Sequence, residues 1–277
     1  MTNNRSIECG GDFGDFVTLG EMDILWLTDP RKFPGYSLIL PSVSIANIGQ
    51  LAVDILIFSL PTEQIAVVHH SALLPIAGCG AYNDTDSGLT TSADLHVCHE
   101  LKLLILQIRA PTAKGKRQEF VEALNKFIQD VLPSSETSIV WVLAGCQAAN
   151  RGDAQLSGRP LRFYHLPQIS DLTNLIKLRS LGPPALEEFI NDRGEMEPFL
   201  PGAGLTKKLL DSCSLPCIAL LMFVDEGENT VDAMTLASYC HAAVSESKPD
   251  DVTKMKWRVP PSWKNMFGAP APSSIFL

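Results

Sequence analysis

Short apolar segments alternate with segments of helical periodicity along most of this 277-residue sequence. Apolar runs of this length, bounded by turn residues, are typical of strands buried inside a sheet. They comprise 37–40, 65–68, 101–108, 138–144 and 217–224. Strands and helices that follow one another in this way favour an α/β fold, with helices on both faces of a largely parallel sheet.

Two helices are clearly marked by their periodicity. Apolar residues share one face of 48–56, and Asn47 offers a side-chain cap at the start of this helix. Apolar residues also share one face of 115–131, which Pro133 ends. Further elements are predicted as helices around 172–178, over 206–213 and from Asn229 or Thr230 to Val244, and as a pair of strands over 95–109.

The chain is expected to hold one domain, because no repeat of roughly 20–50 residues is visible. We expect this α/β domain to occupy residues 36–250. Residues 1–35, with one apolar patch at 24–27, are expected to form an N-terminal leader that need not be ordered. Residues 251–277 are expected to form an extended C-terminal tail.

The charge balance argues against two classes of partner. The chain carries 22 Lys and Arg residues against 31 Asp and Glu residues, a formal net charge of −9. Nucleic acids and anionic membrane surfaces attract clustered basic residues, so neither is expected as the main partner.

The sequence also lacks the marks of a secreted or membrane-spanning chain. Its longest apolar runs fall short of the roughly 20 residues that a membrane helix needs. The polar N-terminus does not resemble a signal peptide. Seven cysteines, scattered from Cys9 to Cys240, do not suggest a disulfide framework. A soluble intracellular protein is therefore expected.

A glycine-rich turn at 201–207 (PGAGLTK) invites comparison with phosphate-binding loops, because backbone amides at a helix start attract anions. It matches neither template: a dinucleotide loop needs glycine where Lys207 stands, and a P-loop needs Gly-Lys-Ser/Thr after four intervening residues. A tight turn that packs a helix on the sheet is the favoured interpretation.

Other candidate sites are equally weak. His96, Cys98 and Glu100 would share one strand face and leave His99 on the other, and Cys213 and Cys217 have no second pair to complete a zinc site. The acidic loop 225–228 follows a buried strand, where α/β enzymes often place catalytic groups, but a solvated connection explains it equally well. No catalytic residue, cofactor or metal site is therefore predicted.

The C-terminal tail is more informative. Pro270 and Pro272 stiffen it, so its last dozen residues could reach roughly 30–40 Å from an anchor at Trp263. The chain ends in Ile275, Phe276 and Leu277. An aliphatic side chain, an aromatic ring and a free carboxylate suit a pocket with a cationic floor. The alternative is a tail that folds back onto its own core.

Four blocks of the sequence resemble the proteasome assembly chaperone 2 family. They are LPSVSIANIGQLAVD (40–54), LPGAGLTK (200–207), FVDEGEN (223–229), and VPPSW with FG (259–263 and 267–268). They occur in the family's order with similar spacing, so the resemblance covers about residues 36–277. It implies a fold related to purine nucleoside phosphorylases.

The resemblance implies a non-enzymatic chaperone in the cytoplasm and nucleus. In the family, this subunit pairs with proteasome assembly chaperone 1, and the heterodimer binds the outer face of the 20S proteasome α-ring. It promotes correct ring formation and prevents off-pathway ring dimers. Residues 1–35 have no counterpart in this resemblance.

The family's tails end in a hydrophobic–tyrosine–any motif that docks between α-subunits, where the terminal carboxylate meets a pocket lysine. By resemblance, Ile275 is the hydrophobic member, Phe276 the aromatic one and Leu277 the carboxylate donor. Phe276 replaces the tyrosine, so a hydroxyl hydrogen bond worth about 1 kcal/mol is lost.

Two alternatives stay open. One is a nucleoside phosphorylase-like enzyme that uses the Gly202 turn for phosphate and the loop 225–228 for a nucleoside. No paired base and phosphate clamp can be named for it. The other is a generic interaction scaffold whose tail is incidental.

Overall fold

A computed structural model describes residues 15–19, 22–29, 31–82, 88–133, 137–156, 158–166, 173–245, 255–264 and 266. The strands are β1 (Phe16–Leu19), β2 (Met22–Trp26), β3 (Ser37–Pro41), β4 (Glu63–His69), β5 (Gly78–Cys79), β6 (Leu89–Thr90), β7 (Ala93–Cys98), β8 (Leu103–Ile108), β9 (Val140–Gln147), β10 (Leu161–His165), β11 (Glu188–Ile190), β12 (Met196–Pro198) and β13 (Cys217–Val224). The α-helices are α1 (Ile48–Ser59), α2 (Arg117–Val131), α3 (Asp153–Leu156), α4 (Thr173–Ser180), α5 (Thr206–Ser212) and α6 (Thr230–Val244).

One nine-stranded sheet organises the fold, in the order β1-β2-β4-β7-β8-β3-β9-β13-β10. The four neighbouring strands β8, β3, β9 and β13 are parallel. All strands outside this central group pair antiparallel. The α/β class is confirmed, and the sheet is mixed rather than largely parallel.

The antiparallel pairs follow from short connections. Strands β7 and β8 are joined by the four residues 99–102, where Lys102 adopts a left-handed backbone with φ 49°. A parallel pairing needs a crossover of about a dozen residues or more, usually a helix. Such a crossover is present between β8 and β9, where α2 intervenes.

Helices cover both faces of the sheet and enclose two apolar cores. Helices α2 and α5 pack on the first face, and α1, α4 and α6 pack on the second. Strand β9 is buried on both of its faces. Val140 and Val142 point into the first core, while Trp141 and Leu143 point into the second. A strand that is buried on both faces loses the alternation of polar and apolar residues.

The second half of the predicted leader belongs to the domain. Strands β1 and β2 extend the sheet beyond β4 and form its first edge. Met22, Ile24 and Trp26 alternate with more exposed residues and enter the first core. The prediction that residues 1–35 lie outside the domain is corrected for this part, because a two-residue period over the five residues of β2 is enough for a strand of the sheet.

The acidic segment 187–197 forms a small structure of its own. It contains β11 and β12, which pair antiparallel as a separate two-stranded hairpin. Just before this segment, Leu186 N donates at 2.8 Å to Phe163 O of β10, the other edge strand of the main sheet.

Residues 255–264 follow the surface of the domain, and we call this segment the C-terminal strap. Its last turn is a short 3-10 helix, Pro261–Trp263, in which Trp263 is buried. Within the described parts of the chain, no helix has the length and apolar character needed to cross a membrane.

Candidate functional site: the motif edge and the C-terminal strap

Three of the four sequence blocks meet where the parallel strands β3, β9 and β13 end. We call this region, formed by 42–49, 145–147, 200–206 and 225–229, the motif edge. Ligands of open α/β sheets bind at the carboxyl ends of strands, so this edge is the first place to look for chemistry.

The motif edge is closed by backbone hydrogen bonds between the blocks. Ile45 N donates to Gly202 O at 3.0 Å, and Gln147 N donates to Pro201 O at 2.8 Å. Ala46 N donates to Glu226 Oε1 at 3.3 Å. The loops that follow the three strands are therefore joined to one another.

Two serine side chains complete these connections. Ser42 Oγ donates to Ala203 O at 2.9 Å and accepts from Leu205 N at 2.8 Å. Ser44 Oγ accepts from Gly145 N at 2.8 Å. Both hydroxyls satisfy buried backbone groups, which is a structural role.

Glycines allow the backbones to approach at this edge. A Cβ atom on Gly49 would lie 2.1 Å from Leu143 O, and one on Gly204, where φ is +63°, would lie 2.0 Å from Val43 O. The turn at 201–207 is thus packed against the loop after β3, as the tight-turn interpretation predicts. Its Leu205 N–H is bound to Ser42 rather than presented to an anion.

The acidic loop 225–228 is also tied into the fold. Glu226 accepts the bond from Ala46, and Asn229 Nδ2 donates to Asp225 O and Gly227 O, each at 3.0 Å. Asn229 makes no side-chain cap on α6, and neither does Asn47 on α1, where φ is 51°. The predicted side-chain cap of Asn47 is therefore wrong, since its backbone is left-handed and its side chain makes no cap bond. Asn229 stands at the start of α6, but its side chain binds the preceding loop.

A second polar group lies around Asp54, which is buried within α1 at 6% exposure. Its Oδ1 accepts from Tyr82 Oη at 2.7 Å, Gln107 Nε2 at 2.6 Å and Arg109 Nη1 at 2.9 Å. Its Oδ2 accepts from Trp263 Nε1 at 3.3 Å. One carboxylate therefore joins α1, strand β8, the loop between β5 and β6, and the strap.

Arg109 faces a second carboxylate. Its Nε lies 3.7 Å from Asp94 Oδ2, and its Nη2 donates to Tyr82 Oη at 2.7 Å. Burial raises the pKa of Asp94 and the pKa of Tyr82. Burial disfavours the charged guanidinium, but Asp54 and its other neighbours outweigh this and raise the pKa of Arg109. Arg109 thus stays charged and cross-links the group.

A cavity of about 350 Å³ borders this group, with Gln64, His96, Arg109 and Arg258 among its lining residues. Burial, with a contribution from the positive charge of Arg109, lowers the pKa of His96 to about 3. The imidazole is therefore neutral near pH 7. Its Nε2 is buried without a hydrogen-bond partner.

The strap is fixed along its length. Trp257 Nε1 donates to Ser238 Oγ at 2.7 Å, and Arg258 N donates to Ser59 Oγ at 2.9 Å. The guanidinium of Arg258 stacks over the Phe58 ring at 4.6 Å from its centroid. With Trp263 bound to Asp54, these contacts fix the point from which the rest of the C-terminus continues.

The predicted docking residues Ile275, Phe276 and Leu277 lie outside the described residues. The metal candidates do not assemble: β7 ends at Cys98, so Glu100 lies in the following turn. In the portion of the chain that the structure describes, no three His, Cys, Asp or Glu side chains form a metal-binding group.

Cys213 and Cys217 do come together, as a hydrogen-bonded thiol pair. The bond from Cys217 lowers the pKa of Cys213, while the same bond and burial raise the pKa of Cys217.

Sequence reasoning missed the group around Asp54. One signal was available, because Asp54 interrupts the otherwise apolar stretch 51–57. An acid on the buried side of a helix needs a buried partner. The identity of that partner depends on which strand faces α1, and Arg109 and Trp263 are distant in sequence.

Comparison with known proteins gives a family match over most of the chain. The model of the PAC2 family matches residues 38–244. The protein named Proteasome assembly chaperone 2 from Danio rerio is 34% identical over 256 residues, which cover 88% of this chain and 96% of the relative. Proteasome assembly chaperone 2 from Homo sapiens is 33% identical and covers 87% of this chain and 95% of the relative.

Solved structures share the fold at lower sequence identity. Pyrococcus furiosus PbaA, described as an archaeal homolog of proteasome-assembly chaperone, aligns with a TM-score of 0.59 and 14% identity over 84% of this chain and 90% of its own. PbaB from the same organism, described as an archaeal proteasome activator, aligns with a TM-score of 0.57 and 14% identity over 84% of this chain and 93% of its own.

Proposed function

The chain belongs to the PAC2 family, and from this premise we propose that it is a non-enzymatic subunit of a proteasome assembly chaperone. One observation carries the proposal. Relatives named Proteasome assembly chaperone 2 align with this chain over nearly their whole length, not only over one domain. A shared fold alone would not justify a shared function.

The proposed partners are a sister subunit, proteasome assembly chaperone 1, and the α-subunits of the 20S proteasome. The heterodimer binds the outer face of the α-ring, promotes correct ring formation and prevents ring dimers. We place this activity in the cytoplasm and the nucleus.

The C-terminus is the proposed contact with the ring. Ile275 and Phe276 enter a pocket between α-subunits, and the carboxylate of Leu277 pairs with a pocket lysine. The strap supports this role, because it anchors Trp263 to the domain. From Met266, eleven residues remain to the terminus, enough to span roughly 35 Å when extended.

The absence of catalysis is part of the proposal. At the motif edge, the main-chain groups of Ile45, Gln147 and Leu205 bind other parts of the chain. The edge that would serve a phosphorylase is thus used to hold loops together. Release of free base by the purified chain incubated with nucleosides and phosphate would contradict this part.

The tail mechanism is tested by reconstitution with proteasome assembly chaperone 1 and purified α-subunits. Removal of residues 275–277 should weaken binding to the α-ring by about tenfold or more, since terminal anchors of this kind act as hot spots. A Ser273→Ala/Ser274→Ala variant is the matched control and should bind like the wild type.

Binding is measured by titration, and complexes are counted by native mass spectrometry. The thermal unfolding midpoint shows whether each variant keeps its domain intact. Equal affinity of the truncated and full-length chains would refute tail docking. Failure of the full-length heterodimer to bind any α-subunit would refute the assembly role itself.

A further inference from the structure

An apolar and acidic hairpin lies next to the β10 edge of the sheet. It comprises residues 187–198, with strands β11 and β12, and we call it the acidic hairpin. Ile190 and Met196 are directly opposite each other in its register and are 68% and 59% exposed. Cross-strand apolar pairs normally stabilise a sheet by being covered, and this pair faces solvent.

The hairpin carries apolar side chains on both of its faces. Successive residues of a strand point to opposite sides, so Phe189 lies on the face away from Ile190 and Met196. Phe189 is 43% exposed and makes an edge contact with Phe199, with ring centroids 5.9 Å apart. A ribbon with apolar groups on both faces fits into a cleft better than onto a flat surface.

The tip of the hairpin is ordered by its own side chains. Asn191 Oδ1 accepts from Arg193 N at 2.9 Å and Glu195 N at 3.0 Å. Asn191 Nδ2 donates to Glu197 Oε1 at 2.6 Å. The exposed pair is thus held in place before any partner binds, which lowers the entropic cost of docking.

The base of the hairpin is attached to the domain. Arg162 is almost fully buried, and its Nε lies 3.3 Å from Glu187 Oε1. Gln155 Nε2 donates to Glu187 Oε2 at 2.9 Å. Tyr164 Oη donates to Glu188 Oε1 at 2.9 Å. An isolated two-stranded hairpin is marginally stable, and these contacts supply the missing support.

The charge of the hairpin specifies the partner's chemistry. Residues 187–197 contain five acidic residues and a single basic one, Arg193. Glu188, Asp192 and Glu195 are exposed around the apolar pair. A complementary surface would present an apolar cleft edged by lysine or arginine.

We propose that the acidic hairpin is a second docking element, which inserts Ile190 and Met196 into a lysine- or arginine-edged apolar cleft of a 20S α-subunit. The choice of partner rests on the proposed function. A contact made by few apolar residues and many charges is small and sensitive to salt, which suits a surface that must later be released. A permanent subunit interface would be larger and more apolar.

The test titrates α-ring intermediates with the heterodimer of this chain and proteasome assembly chaperone 1. Ile190→Ser/Met196→Ser should weaken binding by about tenfold. Leu89→Ser is the matched control, because Leu89 is a similarly apolar side chain, 65% exposed, on the separate two-stranded pair β5–β6. It should bind like the wild type.

The charge requirement is tested with Asp192→Asn/Glu195→Gln. Wild-type affinity should fall as ionic strength rises, and this variant should show a flatter dependence. Circular dichroism and thermal unfolding establish that every variant folds. Hairpin variants that bind the ring like the wild type, while removal of 275–277 weakens binding, would overturn the hairpin proposal alone.

Two further outcomes would also overturn it. Weakened pairing with the sister subunit, with ring binding unchanged, would assign the hairpin to the heterodimer interface. A wild-type heterodimer that binds no α-subunit would remove the proposed function and, with it, this partner.

Discussion

At the scale of single residues, Asp54 links several separate parts of the fold. Its carboxylate is buried and accepts bonds from four side chains that come from separate parts of the chain. Removing one member of a buried charged pair leaves the other uncompensated, which costs more than the pair itself contributes.

We therefore expect Asp54→Ala to lower the free energy of unfolding by about 3–5 kcal/mol, since Arg109 would lose its nearest carboxylate. Urea denaturation measures the change. Asp130→Ala, an exposed acid on α2, is the control and should change stability by less than about 0.5 kcal/mol. A loss for Asp54→Ala as small as that of the control would show that the group is not a cross-link.

His96 should make stability depend on pH. The pKa of His96 in the folded chain is about 3, below the usual 6.5. Between these two values the histidine is protonated in the unfolded chain and neutral in the folded chain. The contribution of His96 to the free energy of unfolding is therefore complete above pH 6.5. It declines by about 1.4 kcal/mol per pH unit as pH falls towards 3. The raised pKa of Asp94 acts in the opposite direction in acid.

Comparison with His96→Asn isolates the histidine, because Asp94 is present in both chains. The stability difference between wild type and variant should be constant above pH 7 and should shift in favour of the variant as pH falls. Denaturation curves at several pH values measure it. Two parallel stability–pH profiles would contradict the pKa of His96.

Individual contacts were hard to predict from the sequence. The glycines at 202 and 204 predict a turn correctly, because glycine permits the left-handed backbone that both positions adopt. The capping bond of Asn47 was predicted wrongly, because a cap also depends on the path of the preceding loop. The pairing of Asp54 with Arg109 depends on tertiary packing alone.

At the scale of elements, the strap is held to the domain by its last turn. Trp263 is 7% exposed and packs in the second core, while Met266, three residues on, is 43% exposed. Trp263 is therefore the buried contact of the strap's last turn.

Trp263→Ala should release the strap and speed tryptic cleavage after Lys256 and Arg258 by about tenfold or more. The physical reason is the loss of a buried indole, which costs about 3–5 kcal/mol of local or global stability. Cleavage is followed by mass spectrometry of intact chains. Met266→Ala is the control and should be cut at the wild-type rate; equal rates for both variants would mean that Trp263 does not hold the strap.

Most elements of the central domain follow from sequence periodicity. Helices α1 and α2 and strands β3, β8 and β13 lie close to their predicted positions. Each is buried along a continuous apolar pattern that can be recognised in the sequence. Strands β1, β11 and β12 were not predicted. They are short, and their strand conformation depends on pairing with neighbours that the sequence does not identify.

At the scale of the whole molecule, strand direction was the least predictable property. Alternation of strands and helices correctly indicates an α/β domain, but it does not tell a crossover from a hairpin. The central strands β8, β3, β9 and β13 are parallel, and the flanking strands reverse direction. The result is a rigid sheet with the motif edge closed by its own loops.

The central claim is that this chain, paired with proteasome assembly chaperone 1, acts through its C-terminus on a ring of α-subunits. A cryo-EM map of the heterodimer bound to an α-ring intermediate tests it most directly. We expect density for Phe276 in a pocket between two α-subunits and for the Leu277 carboxylate beside a lysine. Density for Phe276 packed against this chain's own domain, with no tail in the ring, would contradict the claim.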